Sequence, residues 1–371
     1  MEFGIKKPPH SARPDLTYHA VKKQIDAMGC EYYEIGILDR TGDRQKQRMQ
    51  LKTYSKDSIL KALSYFKAEN SSNNRDIFIR PSRTHKHENG LILVDDINKS
   101  MIDDVMKKRG LEPCCAIETS PYNYQAWIKL NTGINPELQG VISRQLQQEL
   151  SADIGSASRE HFGRLAGFTN RKLCHKDENG LYPFSKLKES SGAVALNSDS
   201  LVQNGKEELK RQNEILASAV QTKALDVAKG HISEQGIDKW WQSTMDTLTE
   251  RTKGQCDMSQ SRIDFSMATM LAEKGCSLED VADALVRNSP SLSERKPGHE
   301  NDYAMMTSAK AQVWAEAKSQ GLQYKDISST IMTSARALIA ENSQAHIVEE
   351  KPVLVQEQAF LLLYVLESFL L

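Results

Sequence analysis

Alternating apolar and polar residues predict strands in the first half of the chain. The segment CEYYEIGILDRTG, residues 30–42, alternates in this way and ends at a Thr-Gly turn signal. Further strands are predicted over four short apolar runs, at 76–80, 91–94, 114–119 and from residue 124 onwards. Apolar residues at helical spacing instead predict helices over 55–67 and 138–150. Strands mixed with helices at these distances predict an α+β or α/β sheet domain of about 200 residues.

The pattern changes near Ser190, where a loop rich in Ser, Gly and Asn begins and the strand signals stop. A polar stretch over 207–229 predicts a connecting helix. Apolar stripes predict three later helices, one from Arg262, one from Ser277 and one through Tyr303 and Trp314. The predicted organisation has five parts: a flexible N-terminal arm over 1–17, a sheet domain over 18–200, a connecting helix over 201–230, a helix bundle over 231–320 and a C-terminal tail over 321–371.

Composition narrows the class of protein only slightly. The formal net charge of −1 gives no global basic field, so nucleic-acid binding would need a local patch. Six scattered cysteines without a C-x-x-C pair argue against a disulfide framework or a zinc site and predict a reducing cytoplasm. The apolar segment over 359–371 is too short to span a bilayer and contains Glu367. It predicts a docking helix, with a weak membrane anchor as the alternative.

Two adjacent acids follow the apolar run that ends at Val94. Neighbouring side chains on a strand point to opposite faces, but a strand that ends here can turn and bring Asp95 and Asp96 together. Two such carboxylates repel each other unless a cation lies between them. Mg²⁺ is often held by one or two carboxylates plus substrate phosphates. The pair therefore indicates a Mg²⁺ or Mn²⁺ site, and a turn or helix cap is the structural alternative.

The stretch DIGSASREHFGRLAGFTNRK, residues 153–172, combines acids, small residues and cations. Small residues let the backbone approach phosphate, and side chains such as His161, Arg164 and Lys172 neutralise its oxygens. Asp153 is placed to complete a metal cluster with the two earlier acids. The structural alternative is a basic surface loop in which Asp153 caps a turn.

Several other residues near these stretches have two interpretations each. Arg80, at the end of a predicted strand, can reach phosphate or form a surface salt bridge. Five aromatic residues can stack on bases or belong to the core: Tyr122, Tyr124, Trp127, Phe162 and Phe168.

Long segments of the chain resemble a known family. FIRPS, GLILVDD, ETSPYNYQAW, HFGRLAGFTNRK and GLYPF are similar to plasmid replication primases of the RepB-prime type, which belong to the archaeo-eukaryotic primase superfamily. The similarity extends over about residues 18–320. It implies an α+β fold with a primase-type β-sheet catalytic domain over 18–200, followed by an all-α helix-bundle domain.

The resemblance also implies an activity and a set of site residues. The family synthesises short primers from nucleoside triphosphates on single-stranded DNA at a plasmid initiation site, with a plasmid helicase or a host polymerase as candidate partners. Its catalytic, metal-binding aspartates fall on Asp95, Asp96 and Asp153, which would hold Mg²⁺ or Mn²⁺. The nucleotide-binding candidates are His161, Arg164, Asn170, Lys172 and Arg80. The spacing from Ser158 to His161 is longer than the Ser-any-His pattern of the superfamily.

Two other classes of function stay open at this point. A replication-origin module that binds DNA without catalysis would share much of the same pattern. A relaxase-type nickase would use a His-x-His metal pair, for which His85-Lys86-His87 is the candidate, although Lys stands where an apolar residue is usual. The sequence also leaves open whether the chain is part of a larger mobilisation protein.

Overall fold

The computed structural model describes residues 14–40, 49–82, 89–157, 161–225, 233–251, 259–327 and 330–350. Most of the predicted N-terminal arm, the His85-Lys86-His87 motif, Ser158 and the apolar segment 359–371 lie outside these residues. The chain divides into two compact units, Met1–Leu209 and Lys210–Leu371. Within the described part, no helix is both long enough and apolar enough to cross a membrane.

The first unit combines helices and strands. Its helices are α1 (Leu16–Met28), α2 (Lys56–Lys61), α3 (Leu63–Ser71) and α4 (Pro136–Glu149), with a π-helical turn at Met101–Met106. Its strands are β1 (Tyr32–Asp39), β2 (Met49–Ser55), β3 (Arg75–Pro81), β4 (Asn89–Ile97), β5 (Cys115–Ser120), β6 (Asn123–Ile134), β7 (Gly163–Arg164) and β8 (Lys186–Glu189). The long helix α5 (Ser198–Leu225) begins in this unit.

The described strands form two antiparallel four-stranded sheets, in the orders β2-β1-β3-β7 and β4-β6-β5-β8. Strand β4 shows how the second sheet is packed. Leu91 and Leu93 belong to a core shared with the first sheet and α1, whereas Ile92 and Val94 belong to a core shared with α4. Because successive side chains of a strand alternate between faces, residues 91–94 of β4 are all apolar and this part of the strand is covered on both sides.

Local structure in the first unit differs from the sequence predictions at three places. The helix predicted over 55–67 is divided at Ala62 into α2 and α3. Leu16 and Thr17, which were assigned to the arm, are the first residues of α1, and Asp15 caps this helix by accepting a hydrogen bond from the backbone of Tyr18. Strand β2 was not predicted, because its exposed, polar sequence gives little alternation signal.

The described part of the second unit is helical. It contains the end of α5 and helices α6 (Glu234–Arg251), α7 (Gln260–Glu273), α8 (Leu278–Asn288), α9 (Leu292–Arg295), α10 (Glu300–Ser319), α11 (Tyr324–Ile327) and α12 (Ile331–Glu350). Helix α8 begins at a capping box, in which the side chains of Ser277 and Asp280 each accept a hydrogen bond from the other residue's backbone N–H.

The helical packing extends beyond the predicted bundle limits of 231–320. Leu216 and Val220 of α5 lie in the same core as Val313 of α10. Ala335 and Leu338 of α12, which fall in the predicted tail, are buried in that core as well. The predicted connecting helix therefore packs along its apolar side, and the predicted tail continues the helical unit through α12.

Candidate active site

A β-bulge places the two adjacent acids. Val94 pairs with Ala126 and Ile97 pairs with Tyr124, so the two residues between them on β4 face a single residue on β6. The second of these, Asp96, has a left-handed backbone with φ of 63°. The sequence suggested that the strand ends at Val94, but β4 continues to Ile97. The bulge, rather than a strand end, turns the backbone, and aspartate tolerates the left-handed region better than most residues.

The third acid is brought to the bulge by α4. Two buried glutamines attach this helix to β4, because the Gln139 side chain donates to the Leu91 carbonyl and the Gln147 side chain donates to the Leu93 carbonyl. After α4 the chain turns back, and the backbone N–H of Asp153 donates to the backbone carbonyl of Asp95 at 3.0 Å. The carboxylate of Asp153 accepts a hydrogen bond from the Gly155 backbone N–H. We refer to Asp95, Asp96 and Asp153 as the acidic trio.

The acidic trio lines one cavity of about 400 Å³, which we call the polar cavity. Of the nucleotide-binding candidates, His161, Arg164, Asn170 and Lys172 line it too. The other lining residues are Arg40, Met49, Phe78, Thr119, Asn123, Gln125, Phe162 and His175. Residues that are far apart in sequence are therefore brought together, with acids and cations facing the same space.

Hydrogen bonds orient the acids within the polar cavity. The backbone N–H of Asp96 donates to the carboxylate of Asp95, and the side-chain amide of Asn123 donates to the carboxylate of Asp96. His161 Nε2 lies 3.5 Å from Asp95 Oδ2. Burial raises the pKa of Asp95, but hydrogen bonds from His161 and Gln125 outweigh it, so the net pKa lies below its ordinary value. Asp95 is therefore a carboxylate at neutral pH.

The cationic side chains differ in how strongly they are already engaged. Arg164 is buried and donates two hydrogen bonds to Asp76, whose side chain is fully buried on β3. Lys172 is exposed and forms no ion pair with any residue of the described part. Burial, followed by the charges of Lys172 and Arg164, lowers the pKa of His175, so this imidazole is neutral at pH 7. Lys172 is thus the cation best placed to meet an incoming anion.

Asn170 and Arg80 are held by protein groups. Asn170 is buried, donates to the Thr119 carbonyl and accepts from the Lys172 backbone N–H, so it supports Lys172. Arg80 does not line the polar cavity. It pairs with Glu34 opposite it on β1, both side chains are buried, and its guanidinium lies 4.0 Å from the centre of the Phe162 ring. The ion pair of Arg80 is therefore buried, not the surface salt bridge considered above.

The donor set suits a hard divalent ion. Carboxylate oxygens are the ligands that Mg²⁺ and Mn²⁺ prefer. In the described ranges, however, no three side chains of His, Cys, Asp or Glu lie close enough together to hold one ion by themselves. Mg²⁺ commonly takes one or two carboxylates and completes its shell with water and substrate oxygens. The acidic trio fits that mode of binding.

Sequence reasoning missed several residues of the site, Asp76 above all. Its carboxylate accepts hydrogen bonds from Arg164, from Arg40 and from the Arg171 backbone N–H. A signal was present, because Asp76 is an acid within a strand whose following residues are all buried. Such an acid needs a cationic partner, but the sequence does not say which one.

The fold and the site together define the class of protein: an α+β unit that contains the polar cavity is followed in the chain by a helical unit. Residues 38–212 match the RepB DNA-primase N-terminal domain, and residues 258–311 match the RepB DNA-primase C-terminal helical domain. A crystal structure of primase RepB' is 33% identical and aligns with a TM-score of 0.51 over 87% of this chain and 99% of that chain. The chain belongs to the RepB DNA-primase family. This confirms the family resemblance and the predicted fold class.

Two further relatives have different lengths. Mobilization protein A from Escherichia coli is 38% identical over 299 residues, which is 80% of this chain but 40% of that protein. A DNA primase from Acidithiobacillus ferrooxidans is 26% identical over 317 residues, which is 81% of this chain and 87% of that protein. The chain thus spans well under half of the mobilisation protein and most of the primase.

Proposed function

We propose that this protein is a DNA primase of a plasmid replication system, which synthesises short primers on single-stranded DNA at an initiation site by metal-dependent nucleotidyl transfer. The observation that carries the proposal is that the acidic trio lines one cavity with His161 and Lys172. Membership of the RepB DNA-primase family and similarity to a protein named DNA primase support it.

The acidic trio would hold Mg²⁺ or Mn²⁺. A bound ion would lower the pKa of the attacking 3′-hydroxyl and neutralise charge on the leaving pyrophosphate. One or two of these carboxylates would contact any one ion, Asp95 and Asp96 from the bulge and Asp153 from the turn after α4, and water and substrate oxygens would complete its shell. The hydrogen bonds from Asn123 to Asp96 and from Gly155 to Asp153 fix these carboxylates before substrate binds. This pre-organisation favours charge stabilisation, which supplies most of the rate in phosphoryl transfer.

The cationic side of the polar cavity would bind the nucleoside triphosphate. Lys172 is free to approach a phosphate oxygen, and Asn170 fixes its backbone. Arg164 contributes positive charge while Asp76 holds it in place. His161 would bind the nucleotide beside Asp95, and Arg80 would act indirectly, by supporting the Phe162 ring.

The proposed reaction also defines partners. Single-stranded DNA is the template and nucleoside triphosphates are the substrates. A plasmid helicase would expose the template and a host polymerase would extend the primer. The similarity to part of a mobilisation protein is compatible with priming by a segment of a longer chain.

The test is primer synthesis by the whole chain on single-stranded DNA, with labelled nucleotides and Mg²⁺ or Mn²⁺ and with products separated by length. Asp95→Asn, Asp96→Asn and Asp153→Asn should each lower synthesis by about 100-fold or more, since each removes a carboxylate that would hold the divalent ion. Asparagine keeps the shape of aspartate and also tolerates the left-handed backbone of position 96. Asp104→Asn, an exposed acid on the π-helical turn, is the matched control and should be fully active.

The same preparations distinguish the competing classes of function. Single-stranded DNA binding should stay within about twofold of the unmodified protein in the three variants, because they add no repulsion toward phosphate. Full primer synthesis in all three would contradict the proposal. DNA binding without synthesis by the unmodified protein would favour a binding module, and a covalent tyrosyl–DNA adduct formed without nucleotides would favour a nickase.

A further inference from the structure

The turn between β5 and β6 carries an aromatic residue in an unfavourable place. Ser120 pairs with Asn123, so the turn consists of Pro121 and Tyr122. Tyr122 has φ of 65° and is 86% exposed. The second position of such a turn, after proline, favours glycine or asparagine, which adopt positive φ at little cost. A bulky residue there is strained, and the exposed ring gains little from packing in return.

This turn is attached directly to the proposed active site. Asn123, the residue after Tyr122, donates its side-chain hydrogen bond to Asp96. Tyr124, which follows it, is buried, as are Trp127 and Phe168, whereas Phe162 is half-buried against Arg80. Of the five aromatic residues that the sequence offered as base-stacking candidates, Tyr122 therefore has the most exposed ring, while Phe162 lines the polar cavity.

A second exposed ring lies on a segment that is attached to the end of β5. Phe184 forms an isolated antiparallel bridge with Thr169, the residue before Asn170. Phe184 is 54% exposed. The side chain of Asn170 ties the segment between Phe168 and Phe184 to the end of β5 through the Thr119 carbonyl. We call Tyr122 and Phe184 the aromatic rim.

Positive charge accompanies the aromatic rim. Lys172 and Lys186 are both exposed. Lys172 forms no ion pair with another described residue, whereas Lys186 lies opposite Glu118 on β5. Lys172 also lines the polar cavity together with the acidic trio. Exposed rings and exposed cations are the combination that single-strand binders use, since bases stack on the rings and phosphates contact the cations.

We propose that the aromatic rim is a stacking platform for bases of single-stranded DNA, with Lys172 and Lys186 contacting the phosphates of the same strand. The rim would guide the template strand toward the acidic trio, and this inference rests on the proposed function for its role in priming. The strained conformation of Tyr122 then has a physical reason, because it holds the ring out from the turn.

Tyr122→Gly is the sharpest test, because it removes the ring and also relieves the backbone strain. Its thermal unfolding midpoint should be unchanged or raised. Its affinity for a thymidine oligonucleotide, measured by fluorescence anisotropy on the full chain without nucleotides, should fall about tenfold, as expected for one lost stacking contact. Phe184→Ala should act in the same direction. Tyr122→Phe, which keeps the ring, and Tyr65→Ala, which removes an exposed tyrosine from α3, should bind DNA normally.

Kinetics separate this inference from the proposed function. In Tyr122→Gly the KM for template should rise while the rate at saturating template is retained, whereas Asp95→Asn should lose the rate. Unchanged DNA affinity in both Tyr122→Gly and Phe184→Ala overturns the stacking platform even if primers are made. If the unmodified protein makes no primers and these variants bind DNA more weakly than it does, the platform is supported and the primase proposal is overturned.

Discussion

Among the residues that the structure describes, each of the two units completely buries one aspartate, and the two have different roles. The side chains of Asp76 on β3 and Asp264 on α7 are both fully buried, and each is paired with an arginine. A buried charge is costly unless it is paired and hydrogen-bonded, so both need their partners to persist. What differs is which residues those partners are and where they lie.

The partners of Asp76 belong to the proposed active site. Arg164 and Arg40 both line the polar cavity, and Arg171 donates its backbone N–H to the same carboxylate. The Arg164 side chain is only 5% exposed. The ion pair therefore fixes the cationic wall of the cavity, and neither of its members can turn to water if the other is removed.

The partners of Asp264 hold helices together. Its carboxylate accepts hydrogen bonds from Ser289, from Tyr303 of α10 and from Arg295 of α9. The Arg295 side chain is 24% exposed. Similar buried carboxylates can therefore have different roles in a protein. The exposure of the paired arginine and its distance from a cavity determine whether the carboxylate supports a site or only the packing of helices.

The largest expected difference follows from the exposure of the two cations. Asp76→Asn should destabilise the protein by about 3–5 kcal/mol, because it leaves the buried Arg164 without its counter-charge. Asp264→Asn should cost less, about 1–3 kcal/mol, since Arg295 can reach water and mainly hydrogen bonds are lost. Denaturant unfolding of both variants measures this.

The same two variants test whether the position of the buried aspartate affects nucleotide binding, apart from its effect on stability. At a temperature where both are folded, Asp76→Asn should bind nucleoside triphosphate more weakly, whereas Asp264→Asn should leave the affinity of the first unit unchanged. Equal losses of stability and equal nucleotide affinity in the two variants would contradict different roles for Asp76 and Asp264.

The second prediction concerns pH and applies to Asp76. Burial raises the pKa of this carboxyl, but the charge and hydrogen bonds of Arg164 lower it by more than burial raises it. The net pKa therefore lies below its ordinary value of 3.8. Because the folded-state pKa is depressed, its contribution is present above the ordinary value and is lost as pH falls through the folded-state pKa.

The difference in unfolding free energy between the unmodified protein and Asp76→Asn should therefore be constant from about pH 6 to 8 and shrink below about pH 4. Asp104→Asn, at an exposed position, should show no comparable pH-dependent difference. A gap between the unmodified protein and Asp76→Asn that widened on acidification would mean that the Arg164 pair does not stabilise the ionised form.

Much of the fold follows from local pattern. Strands β1, β3, β4, β5 and β6 and helix α4 lie where alternation and helical spacing placed them, because buried strands and amphipathic helices carry strong periodic signals. Strand β2 was not predicted, because its sequence is polar. The packing of α12 was not predicted either, because it depends on which surface the helices distant in sequence cover. Periodicity identifies a helix or strand but does not show which other element packs against it.

The acids of the candidate site were predicted from the sequence, whereas the residues that hold its cations and acids in place were not. Asp95 and Asp96 stood out as a charged pair after an apolar run, but the bulge that orients them depends on pairing with β6, which the sequence does not display. Asp76 resembled an ordinary strand residue. Its role becomes visible only when Arg164, far along the chain, is placed beside it.

The smallest expected effects come from the helix caps, one in each unit. Asn135 caps α4 by accepting from the Leu138 backbone N–H, and Ser277 caps α8 by accepting from the Asp280 backbone N–H. Asn135→Ala and Ser277→Ala should each cost about 1 kcal/mol. Asn135→Asp and Ser277→Thr, which retain a capping oxygen, should cost less than either alanine.

Hydrogen exchange followed helix by helix makes this last comparison decisive. Asn135→Ala should speed exchange in the first turn of α4 and Ser277→Ala in the first turn of α8, because each cap satisfies only its own helix end. If Ser277→Ala accelerated α4 as much as α8, the two units would be unfolding as one cooperative body. Stability measurements could then not separate the effects of Asp76 and Asp264, because each measurement would report on both units. Only nucleotide binding would distinguish the two residues.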